Sequence, residues 1–294
     1  LDLPNLYRYR GEVLSLDTTR MLTRGNPLGT VGLLAHFNPA RHLYTAVANE
    51  NGTYLLGSII HTNGDIFAKL VYFAPSTNLT HPGLPSLIEY LCAQAGTWRA
   101  HHVIAEIDES SEAFPMLRAA GFAVYAWQRM WDLSQVTEPG PKSVWTRTRS
   151  INLPAIQNLY YQIVPPLLHP LESMPKSATG LVCSDDSKCY VNLSSGMAGV
   201  VLTPLIHPEA ADVSTKLTSL LAHLRKRPVY LCVRSYQAWL EPTLEDLGAR
   251  PGERQTVMVK HLARLVKSEQ AVKAVQPSGV TVHPARMSRM DTKQ

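Results

Sequence analysis

The chain has 294 residues, of which 45% are hydrophobic and 17% charged, and it carries a net charge of +5. That length and composition suit two globular domains of ordinary size and exclude a disordered chain. No apolar run of about 18 residues occurs, so no membrane span is expected. The positive charge permits an acidic partner without selecting one. Arg225-Lys226-Arg227 and the basic tail after Arg264 read as solvated surface. Aromatic and basic residues do not interleave, so nucleic acid is not an expected partner. The four cysteines show no CxxC spacing and no paired histidines nearby. They read as reduced thiols of a cytoplasmic protein without a metal, with a Cys183–Cys189 hairpin disulfide as the alternative. No secretory signal is visible, and a start at Leu1 instead of Met leads one to expect missing upstream sequence.

In chain order, 2–7 opens a helix, and a three-strand meander follows over 44–48, 53–61 and 66–75. Asn51-Gly52 and Asn63-Gly64 mark its turns, because both residue types tolerate positive φ. A helix then carries Leu84, Leu87, Ile88, Leu91, Cys92 and Ala95 on one stripe, with Pro85 in its first turn. Residues 101–107 read as a buried strand. A short helix spans about 111–120 and stops at Gly121, before a last strand over 122–133.

The second half repeats this order. A first strand lies within 143–150 and a helix within 152–160. A meander covers 180–184, 189–195 and 197–204. A helix presents Leu217, Leu220, Leu221 and Leu224, a buried strand covers 228–234, a short helix stops at Gly248, and a strand over 254–262 closes. Local sequence agrees as well. Pro115-x-Leu117-x-x-x-Gly121 matches Pro242-x-Leu244-x-x-x-Gly248, and Ser110-x-x-Ala113 matches Ser235-x-x-Ala238. The chain is therefore an internal repeat of α+β class. Its divisions are 1–133, a Pro/Gly/Ser-rich linker 134–143, a second repeat 144–265 and a basic tail 266–294.

This order resembles the GNAT N-acetyltransferase fold. The residues carrying the resemblance are "VYFAP" with the loop and helix after it, and "VIAEIDESSEAFPMLRAAGF" at 103–122. Both halves take part, so the chain resembles a tandem GNAT pair, each domain a mostly antiparallel sheet flanked by helices. The resemblance implies acetyl-CoA as cofactor and a small-molecule or peptide amine as acceptor. In the family the third meander strand splays from the next one, and its backbone hydrogen-bonds the pantetheine arm. Val71, Tyr72 and Phe73 occupy that place, and the amides of Gly83, Leu84 and Ser86 would face the pyrophosphate. Of the three loop positions of the family pattern, Gly83 matches, while Thr80 and Pro85 depart from it. The corresponding loop at 206–215 has no glycine and carries Glu209 and Asp212, so only the first repeat is expected to bind CoA. The family's general-acid tyrosine falls on Leu117 and Leu244, and its asparagine on Ser110 and Ser235. Candidates for the chemistry are then Glu106, Asp108, His61 or Asp65 as base, and Tyr72 or Tyr125 as acid, with Glu106, Tyr72 and Tyr125 foremost. The rival expectation is a non-catalytic pseudo-GNAT binding or self-assembly module. In that reading the alternating stretch 279–287 adds a strand to the first repeat's sheet, within the chain or from a neighbouring copy.

Overall fold

The computed structural model describes residues 8–29, 41–50, 53–136, 144–175, 180–184, 187–224 and 227–262. The helix expected at 2–7 and the strand expected at 279–287 lie outside the described residues, as does most of the linker.

A short strand and a short helix open the described chain: β1 (Leu14–Ser15) and α1 (Thr18–Arg24). Asp17 caps α1 by accepting from the Arg20 N–H at 3.1 Å. The expected meander is β2 (Arg41–Glu50), β3 (Thr53–Thr62) and β4 (Phe67–Ala74). After it come α2 (Leu84–Thr97), β5 (His102–Asp108), α3 (Ala113–Ala119) and β6 (Ala123–Asp132). The second half supplies β7 (Trp145–Arg147), α4 (Leu153–Ile163), β8 (Gly180–Cys183), β9 (Cys189–Ser195) and β10 (Val200–Ile206). It ends with α5 (Val213–Leu224), β11 (Val229–Arg234), α6 (Glu241–Asp246) and β12 (Arg250–His261). The fold is α+β, and the four cysteines are buried thiols with no disulfide among them.

One feature follows from no local pattern. The strands form a single sheet in the order β2-β3-β4-β5-β12-β6-β11-β10-β9-β8-β7. Each repeat's closing strand has crossed to the other repeat. β12 pairs with β5 from Gln255↔Asp108 to His261↔His102, and β6 pairs with β11 from Tyr230↔Asp132 to Arg234↔Gln128. The two exchanged strands pair with each other between them. The sheet therefore runs across both halves of the chain.

Helices α2 and α3 cover one face of the first half. Leu84, Leu87, Ile88 and Leu91 pack onto Leu55, Ile59, Leu70 and Phe73. The approach is close at Gly57, where a Cβ would meet Leu91 Cδ1 at 2.9 Å and Leu87 Cδ2 at 3.1 Å. In the second half the equivalent core gathers Leu217, Leu220 and Leu244 against Leu202, Leu231 and Val233. Burying side chains of this size contributes about 1.5–3 kcal/mol each. Both short helices end as their sequences imply: Gly121 and Gly248 take φ of +86° and +75°, a conformation that L side chains adopt at a cost.

Candidate functional site

β4 and β5 pair in parallel only from Phe67↔His102 to Lys69↔Ile104, and then separate. Where they separate, β4 carries a bulge: Ser58 pairs with Tyr72 and Ile59 with Leu70, which leaves Val71 as the extra residue. A splay beside a bulged strand is the cleft in which the resemblance places the pantetheine arm. In this protein its own backbone lies there. β1 pairs antiparallel with β4, Leu14 opposite Phe73 and Ser15 opposite Tyr72. Leu16 then bridges both strands: its N–H donates to Val71 O at 2.9 Å, and its C=O accepts from Glu106 N at 2.9 Å. The Leu16 side chain is fully buried in the core beneath α2. The segment thus satisfies the edge groups a pantetheine arm would use and fills the space beside them.

The loop before α2 is also committed to internal partners. The Gly83 N–H donates to His81 Nδ1 at 2.9 Å, and the Leu84 N–H to His81 O at 2.9 Å. His81 is buried, and its Nε2 donates to Thr53 O at 3.2 Å, so Nε2 carries the proton. A Cβ at position 83 would lie 2.9 Å from His81 Nδ1, so the glycine makes room for that ring. Leu84 is buried, while Ser86 is exposed at the start of the helix. Glu12 reaches the loop from the N-terminal side, its carbonyl accepting from Ser76 N at 2.8 Å and its carboxylate from Thr77 Oγ1 at 3.0 Å. That carboxylate adds negative charge to the loop after β4, which disfavours an anion there. The residues present do not fit acetyl-CoA in this arrangement.

The second half shows the same outcome by other means. β10 and β11 pair from Val200↔Val229 to Leu202↔Leu231 and then diverge. Into the gap goes the Gln237 side chain, which accepts from Ile206 N at 3.3 Å and donates to Pro204 O at 3.1 Å. A side-chain amide here meets the strand that a cofactor amide would meet.

On the sheet face away from α2, side chains from both halves enclose a cavity of about 270 Å³. Glu106 projects into it from β5, Tyr125 from β6, Cys232 and Arg234 from β11, and Glu172 from the loop after α4. Lys69 Nζ lies 3.3 Å from Glu106 Oε1 and 3.9 Å from Asp17 Oδ1. Burial alone would raise the Glu106 pKa. The Lys69 and Arg234 cations and the Thr18 N–H, 2.9 Å from Oε2, outweigh it and hold the carboxyl below its ordinary range. Burial disfavours the Lys69 ammonium, yet Glu106 and Asp17 win and its pKa is raised. Arg234 Nε sits 3.2 Å from Glu172 Oε1. Burial and the Glu172 charge push the Tyr125 hydroxyl well above the usual phenol range, so it stays protonated. A polar row crosses the central strands: Gln255 Nε2 donates to Asp108 Oδ1 at 2.9 Å, Gln128 Nε2 donates to Gln255 Oε1 at 2.9 Å, and Arg234 donates to Gln128. This row ties the exchanged strands in register.

Of the residues singled out in the sequence, the cavity brings Glu106 and Tyr125 together, with Asp65 at its edge. Tyr72 lies elsewhere, in an apolar cluster with Leu28, Leu56 and Ile60, where burial pushes its hydroxyl up to about 12. His61 stacks with Trp98 on the α2 face, and Asp108 serves the polar row. Leu117 and Leu244 are fully buried core residues. Sequence reasoning missed Lys69, Glu172 and Arg234. Lys69 alone carried a local signal, as a charge inside an apolar strand. Among the described residues no group of three potential ligands is placed to hold a metal, and no helix is long and apolar enough to cross a membrane.

Comparison with known proteins supports the architecture. No family model matches the sequence, and no curated protein gives a significant match. Among solved structures, a candidate acetyltransferase of Pyrococcus horikoshii aligns at a TM-score of 0.51, with 11% identity over 89% of this chain and 86% of that one. A tandem GNAT protein from the clavulanic acid biosynthesis pathway aligns at 0.47, with 16% identity over 79% and 86%. A GCN5-related N-acetyltransferase from Kribbella flavida aligns at 0.48, with 12% identity over 76% and 91%. The Pyrococcus horikoshii alignment supports a shared acetyltransferase fold, and an identity this low bears on fold alone.

Proposed function

We propose that this protein is a non-catalytic binding module built on a doubled acyltransferase fold. The observation that carries the reading is Leu16, whose backbone bridges β4 and β5 in the cleft that acyl-CoA would need. Three features support it. The loop amides of Gly83 and Leu84 are already satisfied by His81. Gln237 occupies the second cleft. Glu106, held ionised by two cations, is a weak base for drawing a proton from an amine.

A second reading, acetyl transfer from acetyl-CoA to an amine in the first half, is favoured by the meeting of Glu106 and Tyr125 in one cavity. It requires residues 12–16 to leave the sheet. Calorimetry of the full chain with acetyl-CoA and CoA at millimolar concentration separates the two. The binding-module reading expects no saturable heat and no ligand-dependent rise in melting temperature. Saturable binding of acetyl-CoA, together with amine-dependent release of the CoA thiol, would overturn it in favour of the enzyme.

A further inference from the structure

On the face of the sheet opposite α2, beside the cavity that holds Glu106, lies a second cavity of about 420 Å³. Its walls come from both halves: α1, the start of β2, the end of β3, the start of β4 and residues 193–195 of β9. α1 is seated firmly on the second half. The Ala198 N–H donates to Thr23 O at 3.0 Å, and a Cβ at Gly196 would lie 2.1 Å from that carbonyl. Such a wall is built by packing and does not depend on a loose side chain.

Three guanidinium groups converge on this space, from Arg20, Arg24 and Arg41. Arg20 is 7% exposed, yet among the described residues its guanidinium makes no hydrogen bond or ion pair, and those of Arg24 and Arg41 make none either. Two carboxylates line the cavity, Asp17 and Asp65. Asp17 is committed: it caps α1 and lies 3.9 Å from Lys69, itself paired with Glu106. It attracts Arg20 only from beyond ion-pair distance. Three cations therefore face one further carboxylate, Asp65. Burial lowers the pKa of Arg20, and Arg24 and Arg41 lower it further by repulsion. Arg24 is lowered by burial first and then by Arg41. Holding like charges together without water or counter-charge is unfavourable, and such an arrangement is tolerated where a ligand supplies the missing charge.

We propose that this cavity binds a small, multiply charged oxyanion, a phosphate ester or a polycarboxylate, with its anionic group among Arg20, Arg24 and Arg41. Planar guanidiniums match both oxyanions bidentately. The hydroxyls of Thr19, Thr62 and Ser194 line the same walls and serve the remaining oxygens, while that of Thr23 donates to Thr19 O within α1. The volume falls in the range of ligand sites, about 300–1,000 Å³. Thr19, Lys69 and Ser194 also line the adjoining cavity, so a ligand longer than its anionic group extends toward Tyr125 and Arg234. α1 follows the sealing segment directly at Asp17, so the site rests on the reading in which residues 12–16 stay in the sheet.

Titration of the full chain with inorganic phosphate, glycerol 3-phosphate and citrate tests the proposal, by calorimetry and by melting temperature. One saturable site is expected, weakening as salt rises. Preference for the phosphates identifies an ester, and preference for citrate a polycarboxylate. R24Q and R41Q, at half-buried positions, each reduce affinity by about tenfold. R24Q also melts higher than the parent without ligand, because a repulsion is gone, and loses the rise with ligand. A merely structural arginine would do the reverse. Absence of saturable binding by all three probes, or unchanged affinity in R24Q/R41Q, overturns the proposal.

Discussion

At position 106 a carboxylate sits between Val103-Ile104-Ala105 and Ile107 in β5, and its partners decide what it does. The Glu106 side chain is 2% exposed and meets Lys69, the Thr18 N–H and the field of Arg234. Glu106→Gln leaves Lys69, whose side chain is 27% exposed, with a weakened partner. The expected loss is about 1–3 kcal/mol of stability by urea unfolding, at the lower end where water and Asp17 compensate. The sign of the pH dependence follows from the depressed pKa. The stabilisation by ionised Glu106 is complete above the unfolded-state carboxyl pKa and is lost as pH falls through the lower folded value. Acid unfolding curves of the parent and E106Q should therefore converge at low pH and separate toward neutrality. Parallel curves would mean that Glu106 is not ionised in the fold. Its charge within an apolar run made it visible in the sequence. The arginine cluster was visible only as Arg20 and Arg24 at i and i+4, a like-charge spacing that an isolated helix disfavours. Nothing local announced that Arg41 would join them.

Among the elements, the two short helices show what a repeat preserves. α3 and α6 end on glycines at positive φ, with the same closing bonds. Gly121 N donates to Arg118 O at 3.0 Å and Gly248 N to Glu245 O at 2.9 Å, then Phe122 N to Leu117 O at 3.0 Å and Ala249 N to Leu244 O at 2.9 Å. Gly121→Ala and Gly248→Ala should each cost about 1–2 kcal/mol by denaturant titration, and the costs should add because the sites share no partner. A neutral effect at either position would show that its helix end relaxes freely. These helices, the meanders and the apolar stripes of α2 and α5 were legible because each rests on a period or a turn residue within a dozen positions. β1 was not, since two residues carry no period, and its strand character comes from the splayed β4 it fills. α1 had its cap in Asp17, but "TTRMLTR" shows no apolar stripe to extend the signal. The exchange of β6 and β12 was illegible for a further reason. β6 buries Ala126, Met130 and Trp131 and β12 buries Val257, Met258 and Val259, and apolar residues of this kind could satisfy either neighbour. The choice is made by the polar row from Asp108 to Arg234, whose members lie as far as 147 residues apart in sequence.

Across the molecule, the crossing of β6 and β12 means that neither repeat contains its own sheet. β5 ends against a strand from the far end of the described chain, and β11 against one that precedes the linker. The connection at 134–143 therefore matters less than its position suggests. Severed anywhere from 137 to 143, the protein should behave as a clasp whose two parts still hold. Two co-expressed pieces should co-elute as one particle with the parent's melting temperature, dilution aside. Each piece made alone should expose a strand edge and aggregate. A well-behaved monomer from either piece would show that the closing strands can return home. The same interlock gives the protein a geometry of inheritance. Were the two halves identical, the sheet would be that of a two-fold dimer trading its last strands, and joining the copies would free each to diverge. One half could then spend its first residues sealing its own cleft while the other settled the matter with a single glutamine.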